Sequence, residues 1–106
     1  MAKETFQFFK MIEKMSAREV YGKKLAEIGA TNDKIVVLTA DLMRSNKTGD
    51  FMKAHPDRFF NIGIAEQNMM GIAAGLALEG KMPFVSTMAT FASMRACEQM
   101  RTDICY

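Results

Sequence analysis

Ile35-Val-Val-Leu-Thr-Ala40 is a continuous apolar run in which β-branched residues dominate. Strict alternation of apolar and polar residues would mark a strand with one wet face. A run without alternation marks a strand covered on both faces, as in a parallel sheet held between helices. Upstream, Ser16-Ala-Arg-Glu19 has the spacing of a capping box, in which the Ser and the Glu satisfy each other's backbone donors. It predicts a helix running to Ile28, with Tyr21, Leu25 and Ile28 on one face and Gly29 as its stop. Before it, Thr5–Lys14 reads as a short amphipathic helix, so residues 1–15 form an N-terminal helical extension. Downstream, a polar loop from Asp41 to Lys47 leads to a short helix over Gly49–Ala54, stopped by Pro56. A second strand is predicted over Phe59–Ile64, an Ala- and Gly-rich helix over Glu66–Glu79, and a third strand over Pro83–Thr87. A last helix covers Ala92–Ile104. Helix and strand alternate, so the fold class is α/β: a parallel sheet flanked by helices.

The bulk numbers bound this reading. The 106 residues leave room for one domain, and 49% hydrophobic with 25% charged residues is a globular composition. A net charge of +2 gives no field for nucleic acid or an anionic membrane. No run approaches the roughly 18 apolar residues that span a bilayer, and no secretory pattern opens the chain. A cytoplasmic protein is expected. Cys97 and Cys105 fit neither a disulfide framework nor a zinc spacing, and read as reduced, small core residues. Eleven methionines suggest an adaptable core or an apolar surface that faces a partner. His55, before Pro56, reads as a helix C-cap rather than a base. The chain stops at Thr102-Asp-Ile-Cys-Tyr106 inside a helical pattern. Three strands make a thin core, so a further downstream part or a partner chain is expected.

One acid stands out. Glu66 falls where a strand gives way to a helix, amid Ile62, Ile64, Ala65, Met69 and Met70. A carboxyl group in such company is costly to ionise unless a specific partner compensates. Two readings stand: an acid that merely stabilises its helix through the macrodipole, or a functional acid. Asp41, Glu66 and Phe91 each follow a predicted strand on its carboxyl side. Ligands of open α/β sheets bind at that edge.

Six blocks occur in order: Ser16-Ala-Arg-Glu-Val-Tyr-Gly22, Ala40-Asp-Leu-Met-Arg-Ser-Asn46, Phe59-Phe-Asn-Ile-Gly-Ile-Ala-Glu-Gln-Asn68, Gly71-Ile-Ala-Ala-Gly-Leu-Ala77, Pro83-Phe-Val-Ser-Thr87 and Phe91-Ala-Ser-Met-Arg-Ala-Cys-Glu-Gln99. In this series the chain resembles the start of the C-terminal half of a transketolase, most of all the split, two-chain form of bacteria and archaea. The resemblance implies that residues 16–106 are the N-terminal portion of a pyrimidine-binding domain for thiamin diphosphate, incomplete at its C-terminal side.

It assigns Glu66 to N1′ of the aminopyrimidine ring, where proton sharing favours the imino tautomer that can deprotonate the thiazolium. Dry surroundings would raise the pKa of Glu66 and a helix N-terminus would lower it, and the sequence leaves the balance open. Phe91 matches the aromatic residue stacked on the ring. Asp41 matches an acid near the thiazolium and the dimer seam. Arg18 and Ser45 match positions that touch the phosphate of the sugar substrate. Thr48-Gly-Asp50 lacks the second Gly and the paired Asn of the thiamin-enzyme metal motif, so no metal ligand is assigned. Mg2+ and the diphosphate are implied to belong to a diphosphate-binding transketolase chain. With it this chain would form a dimer or heterotetramer acting on sugar phosphates, and alone it would be inactive. The alternatives are 1-deoxyxylulose-5-phosphate synthase, the β-subunit of a 2-oxo acid dehydrogenase, or a non-catalytic assembly module. The block from Asp41 to Asn46 favours transketolase.

Overall fold

A computed structural model of the chain describes residues 16–106. The helix expected over Thr5–Lys14, with the extension of residues 1–15, lies outside the described residues. The first helix, α1 (Ala17–Thr31), begins on the predicted capping box. Ser16 Oγ accepts from Glu19 N at 3.3 Å, and Glu19 Oε2 accepts from Ser16 N at 3.1 Å. The helix runs through Gly29 and is capped at Asn32, so Gly29 is not its stop. Gly29 is a packing residue instead: a Cβ there would lie 2.5 Å from Phe51 Cε2 and 3.0 Å from His55 Cδ2. Gly22 meets a similar limit, since a Cβ there would collide with the Lys47 carbonyl oxygen.

Strand β1 (Ile35–Thr39) is followed by two short helices, α2 (Met43–Asn46) and α3 (Gly49–Ala54), and a 3₁₀ turn at Pro56–Arg58. The loop expected from Asp41 to Lys47 therefore contains a helical turn. His55 caps α3 through its backbone N–H, 2.8 Å from Phe51 O, and its ring Nε2 lies 3.1 Å from Ala26 O. Strand β2 (Phe59–Asn61), helix α4 (Glu66–Leu78) and strand β3 (Met82–Ser86) complete a parallel sheet of order β2-β1-β3. Val37 lies opposite Phe59 on one side and Phe84 on the other.

All five residues of β1 are buried, as its unbroken apolar run requires. Alternate residues divide between two clusters. Val36 and Leu38 join Ala40, Met69 and Ala73 beneath α4. Ile35 and Val37 join Leu25 and Phe51 beneath α1 and α3. Burying a side chain the size of Phe51 contributes about 1.5–3 kcal/mol. The crossovers from β1 to β2 and from β2 to β3 thus lie on opposite faces, the arrangement that opens a crevice at the carboxyl edge of such sheets.

Three further expectations need correction. Strand β2 ends at Asn61 and not at Ile64, because the Asn61 side chain accepts from Gly63 N at 3.0 Å and turns the chain away at Gly63, where φ is 82°. The last helix is not regular: π turns at Phe91–Arg95 and Met100–Cys105 flank one α-helical turn, Cys97–Gln99. Ser93 Oγ donates to Ala89 O at 2.7 Å and Thr102 Oγ1 to Glu98 O at 2.9 Å, bonds that compete with the regular ladder. Cys97 and Cys105 are exposed rather than in the core. The inward position of this segment is Ala96, one residue before Cys97 and fully buried. The methionines divide: Met69 and Met70 are in the core, while Met82, Met88, Met94 and Met100 are exposed. Among the described residues no helix is long and apolar enough to cross a membrane.

Candidate functional site

The three strands deliver their next residues to one edge of the sheet. Strand β1 leads to Asp41, β2 leads through a short loop to Glu66, and β3 leads to Thr87 and then to Phe91 and Arg95. Glu66 is the first residue of α4, and only 1% of it is exposed. Arg95 Nη1 donates to Glu66 Oε2 at 2.9 Å, while the Arg95 side chain remains 46% exposed. The same guanidinium lies over Phe91, 4.1 Å from the ring centroid, within the range of a cation–π contact. Phe91 is half-buried. The buried Thr87 Oγ1 lies beside the carboxylate at the margin of hydrogen-bonding geometry.

These neighbours decide the charge of Glu66. Burial is the strongest single influence and pushes its pKa up. Against it act the hydrogen bond from Arg95, the backbone amide of Glu66 itself, the Arg95 charge and the Thr87 hydroxyl. Together they hold the carboxyl below its ordinary value of 4.5, so Glu66 is ionised at neutral pH in this state. The helix N-terminus thus has an ally that the sequence reading missed. Arg95 stands four residues after Phe91, the spacing that puts two side chains on one helix face, and that was the available signal.

Asp41 has a different setting. It is exposed, with φ 58°, and is pinned to the end of β2. Asn61 Oδ1 accepts from Asp41 N at 3.0 Å, and Asn61 Nδ2 donates to Asp41 Oδ1 at 3.3 Å. Arg18 and Ser45 are brought together, but through the backbone: Arg18 Nη1 donates to Ser45 O at 3.2 Å. Arg18 lines a cavity of about 410 Å³ with Tyr21, Asn46, Ser86 and Thr87, braced by a 2.7 Å bond between Tyr21 Oη and Ser86 Oγ. Ser45 lines a separate depression with Asp41, Arg44 and Asn61. Thr87 therefore links the Arg18 cavity to the Glu66 corner. Among the described residues no three His, Cys, Asp or Glu side chains come close enough to hold a metal ion.

A buried acid beside an aromatic face suits a flat, nitrogen-bearing ring: the acid takes a ring or amino N–H, and the face takes the plane. Residues 13–105 match the family model described as the transketolase pyrimidine-binding domain. The chain is 51% identical over 89 residues to a transketolase C-terminal section assigned provisionally in Methanocaldococcus jannaschii, covering 84% of this chain and 28% of that one. It is 43% identical over 93 residues to 1-deoxy-D-xylulose-5-phosphate synthase of Alkaliphilus oremlandii, covering 88% and 15% respectively. Among solved structures it is similar to a split-gene transketolase described as an inactive β4 tetramer. That likeness has a TM-score of 0.75 and 64% identity, covering 84% of this chain and 30% of the other. The chain spans less than a third of the length of each of these relatives. By the extent of the family match and of the identities, the chain belongs to the transketolase pyrimidine-binding domain family.

Proposed function

We propose that this chain provides the pyrimidine-facing side of a thiamin diphosphate-dependent transketolase, which moves a two-carbon ketol unit between sugar phosphates in the cytoplasm. One observation supports this above the rest: a buried, ionised carboxylate and a half-buried aromatic face meet at the carboxyl edge of the sheet, joined by a single side chain. The donor set fits an aminopyrimidine ring. When bound, the cofactor supplies an electron sink at its thiazolium ring.

Glu66 would face N1′ of the ring and share with it a proton that the carboxylate takes up from solvent as the ring binds. Its depth in the fold excludes water from that hydrogen bond and strengthens it. Phe91 takes the plane of the ring. Asp41, held to Asn61, supplies negative charge near the thiazolium and at the seam with a second chain. Arg18 reaches the phosphate of the sugar from its cavity. Ser45 positions that guanidinium through its carbonyl, and its hydroxyl would join the phosphate only from the neighbouring depression, where the two hollows adjoin. Mg2+ and the diphosphate fall to a diphosphate-binding transketolase chain, with which this chain forms a dimer or heterotetramer. Without that partner the chain carries no turnover.

The test is reconstitution. The chain is mixed with a diphosphate-binding transketolase chain, thiamin diphosphate and Mg2+, and ketol transfer between sugar phosphates is followed. Glu66→Gln keeps the shape of the side chain but loses the acid, and is expected to lower turnover by about 10²-fold or more. Near-normal turnover in the variant would remove Glu66 from this role. The identity to the Alkaliphilus synthase supports a second reading, in which the same acid and ring serve a different donor. Formation of 1-deoxyxylulose 5-phosphate in place of ketol exchange would favour it.

A further inference from the structure

The Arg95 guanidinium is flat, cationic and edged with N–H donors. It gives one N–H to Glu66 Oε2 at 2.9 Å and lies 4.1 Å from the centroid of Phe91. An acid partner and an aromatic face are the two interactions that the function proposed above gives to the aminopyrimidine. We propose that Arg95 is a resident stand-in for that ring: it engages Glu66 and Phe91 until the cofactor arrives, and then swings out toward solvent. The inference rests on the proposed function, and concerns how the site is loaded.

Access is the first support. Glu66 is 1% exposed, so no ligand reaches its carboxylate until a neighbour moves. Thr87 directly follows β3, and Phe91 is anchored by its half-buried ring. Arg95 is the neighbour able to leave, with a long side chain 46% exposed. Among the described residues Glu66 is its one hydrogen-bonded partner. Among the described residues four of its five donors therefore have no protein acceptor holding them there.

Chemistry is the second support. While Arg95 is paired, Glu66 is a plain carboxylate. When the cation leaves, burial remains as the strongest influence and raises the proton affinity of the acid. That is the condition under which Glu66 can share a proton with a ring nitrogen. The exchange would thus convert a stored carboxylate into a working acid only where the ring is present.

The test uses Arg95→Ala and Arg95→Lys in this chain, assembled with a diphosphate-binding transketolase chain. Thiamin diphosphate is titrated by calorimetry in the presence of Mg2+, and thermal unfolding is recorded with and without it. Removing the competing charged hydrogen bond is expected to tighten cofactor binding by roughly tenfold in Arg95→Ala, with Arg95→Lys between it and the wild type. The cofactor-free Arg95→Ala assembly should unfold at a lower temperature than the wild type, and the loaded assembly at nearly the same one. Equal or weaker binding by a folded variant would overturn the exchange. Should Arg95→Ala fail to fold, the direction of change in Arg95→Lys decides. A wild-type assembly that takes up no thiamin diphosphate overturns the functional reading and the exchange together. Uptake by the wild type without tighter binding by the variants overturns the exchange alone.

Discussion

Arg58 and Arg95 each lie over a phenylalanine, at opposite ends of the sheet, and they use their donors differently. Arg58 is at the amino end, 5.8 Å from the centroid of Phe51. Its Nη1 donates to Asn32 O at 2.9 Å and Ile35 O at 3.3 Å, and its Nη2 to Gly29 O at 2.8 Å. Those acceptors are the closing carbonyls of α1 and the first of β1, groups that a helix end leaves without partners. Arg95 is at the carboxyl end, closer to its ring, with a single acceptor that is itself a side chain. Backbone carbonyls neither titrate nor leave, whereas a carboxylate can do the first and exchange its partner. The kind and number of acceptors, more than the cation–π contact, separate an arginine that ties the fold from one that tends a site.

The comparison can be broken at its structural end. Phe51→Ala empties a site that is fully buried between α1, α3 and β1, and should cost about 3–5 kcal/mol in urea unfolding of the assembled protein. Cofactor affinity per folded molecule should hold, because Phe51 lies on the face of the sheet opposite α4 and away from Glu66. A parallel collapse of affinity would show that the two ends are not independent. A smaller loss is expected of Arg58→Met, about 1–3 kcal/mol, because it takes a donor from three carbonyls, of which Asn32 O keeps Ile35 N at 3.3 Å. That deficit should be the same from neutral pH into acid.

Arg95→Met sharpens the contrast with the smallest effect, since Arg95 is 46% exposed and partly screened by solvent, and Glu66, 1% exposed, can take up a proton once the cation is gone. The folded-state pKa of Glu66 is depressed, so the pair contributes stability above the ordinary value of 4.5 and loses it as pH falls through the depressed one. Wild type and Arg95→Met should therefore converge in acid, while wild type and Arg58→Met stay apart. A gap for Arg95→Met that persists in acid would make Arg95 a packing residue like Arg58.

Much of the fold was legible because its signals are local. The apolar run of β1, the Ser16–Glu19 box, the Gly49–Ala54 helix with its His55 cap and the strand-to-helix junction at Glu66 are each written within a few residues. The unread parts are contacts between segments. Gly29 looked like a helix stop because nothing nearby in sequence announces Phe51 and His55 against it. Cys97 and Cys105 looked like core residues by type, but the packing of the last segment chose Ala96. Glu66 was found from its apolar neighbours, yet its partner is 29 residues away, and the bond between Tyr21 and Ser86 joins residues 65 apart. Arg18 and Ser45, both expected at the sugar phosphate, meet through a carbonyl that side-chain reasoning does not consider, and their role toward a phosphate remains a proposal.

Gly22 carries a lesson about evolutionary freedom. In most helix interiors a glycine is the residue that drift improves, because alanine there gains about 1 kcal/mol of helical propensity. In α1 the neighbour is the carbonyl of Lys47, at the turn between α2 and α3, and a main chain cannot step aside as a side-chain tip does. The simplest single step open to such a codon is therefore closed. A lineage could leave glycine at position 22 only by first rebuilding the α2–α3 turn, so the history of that one residue and the history of that turn must run together.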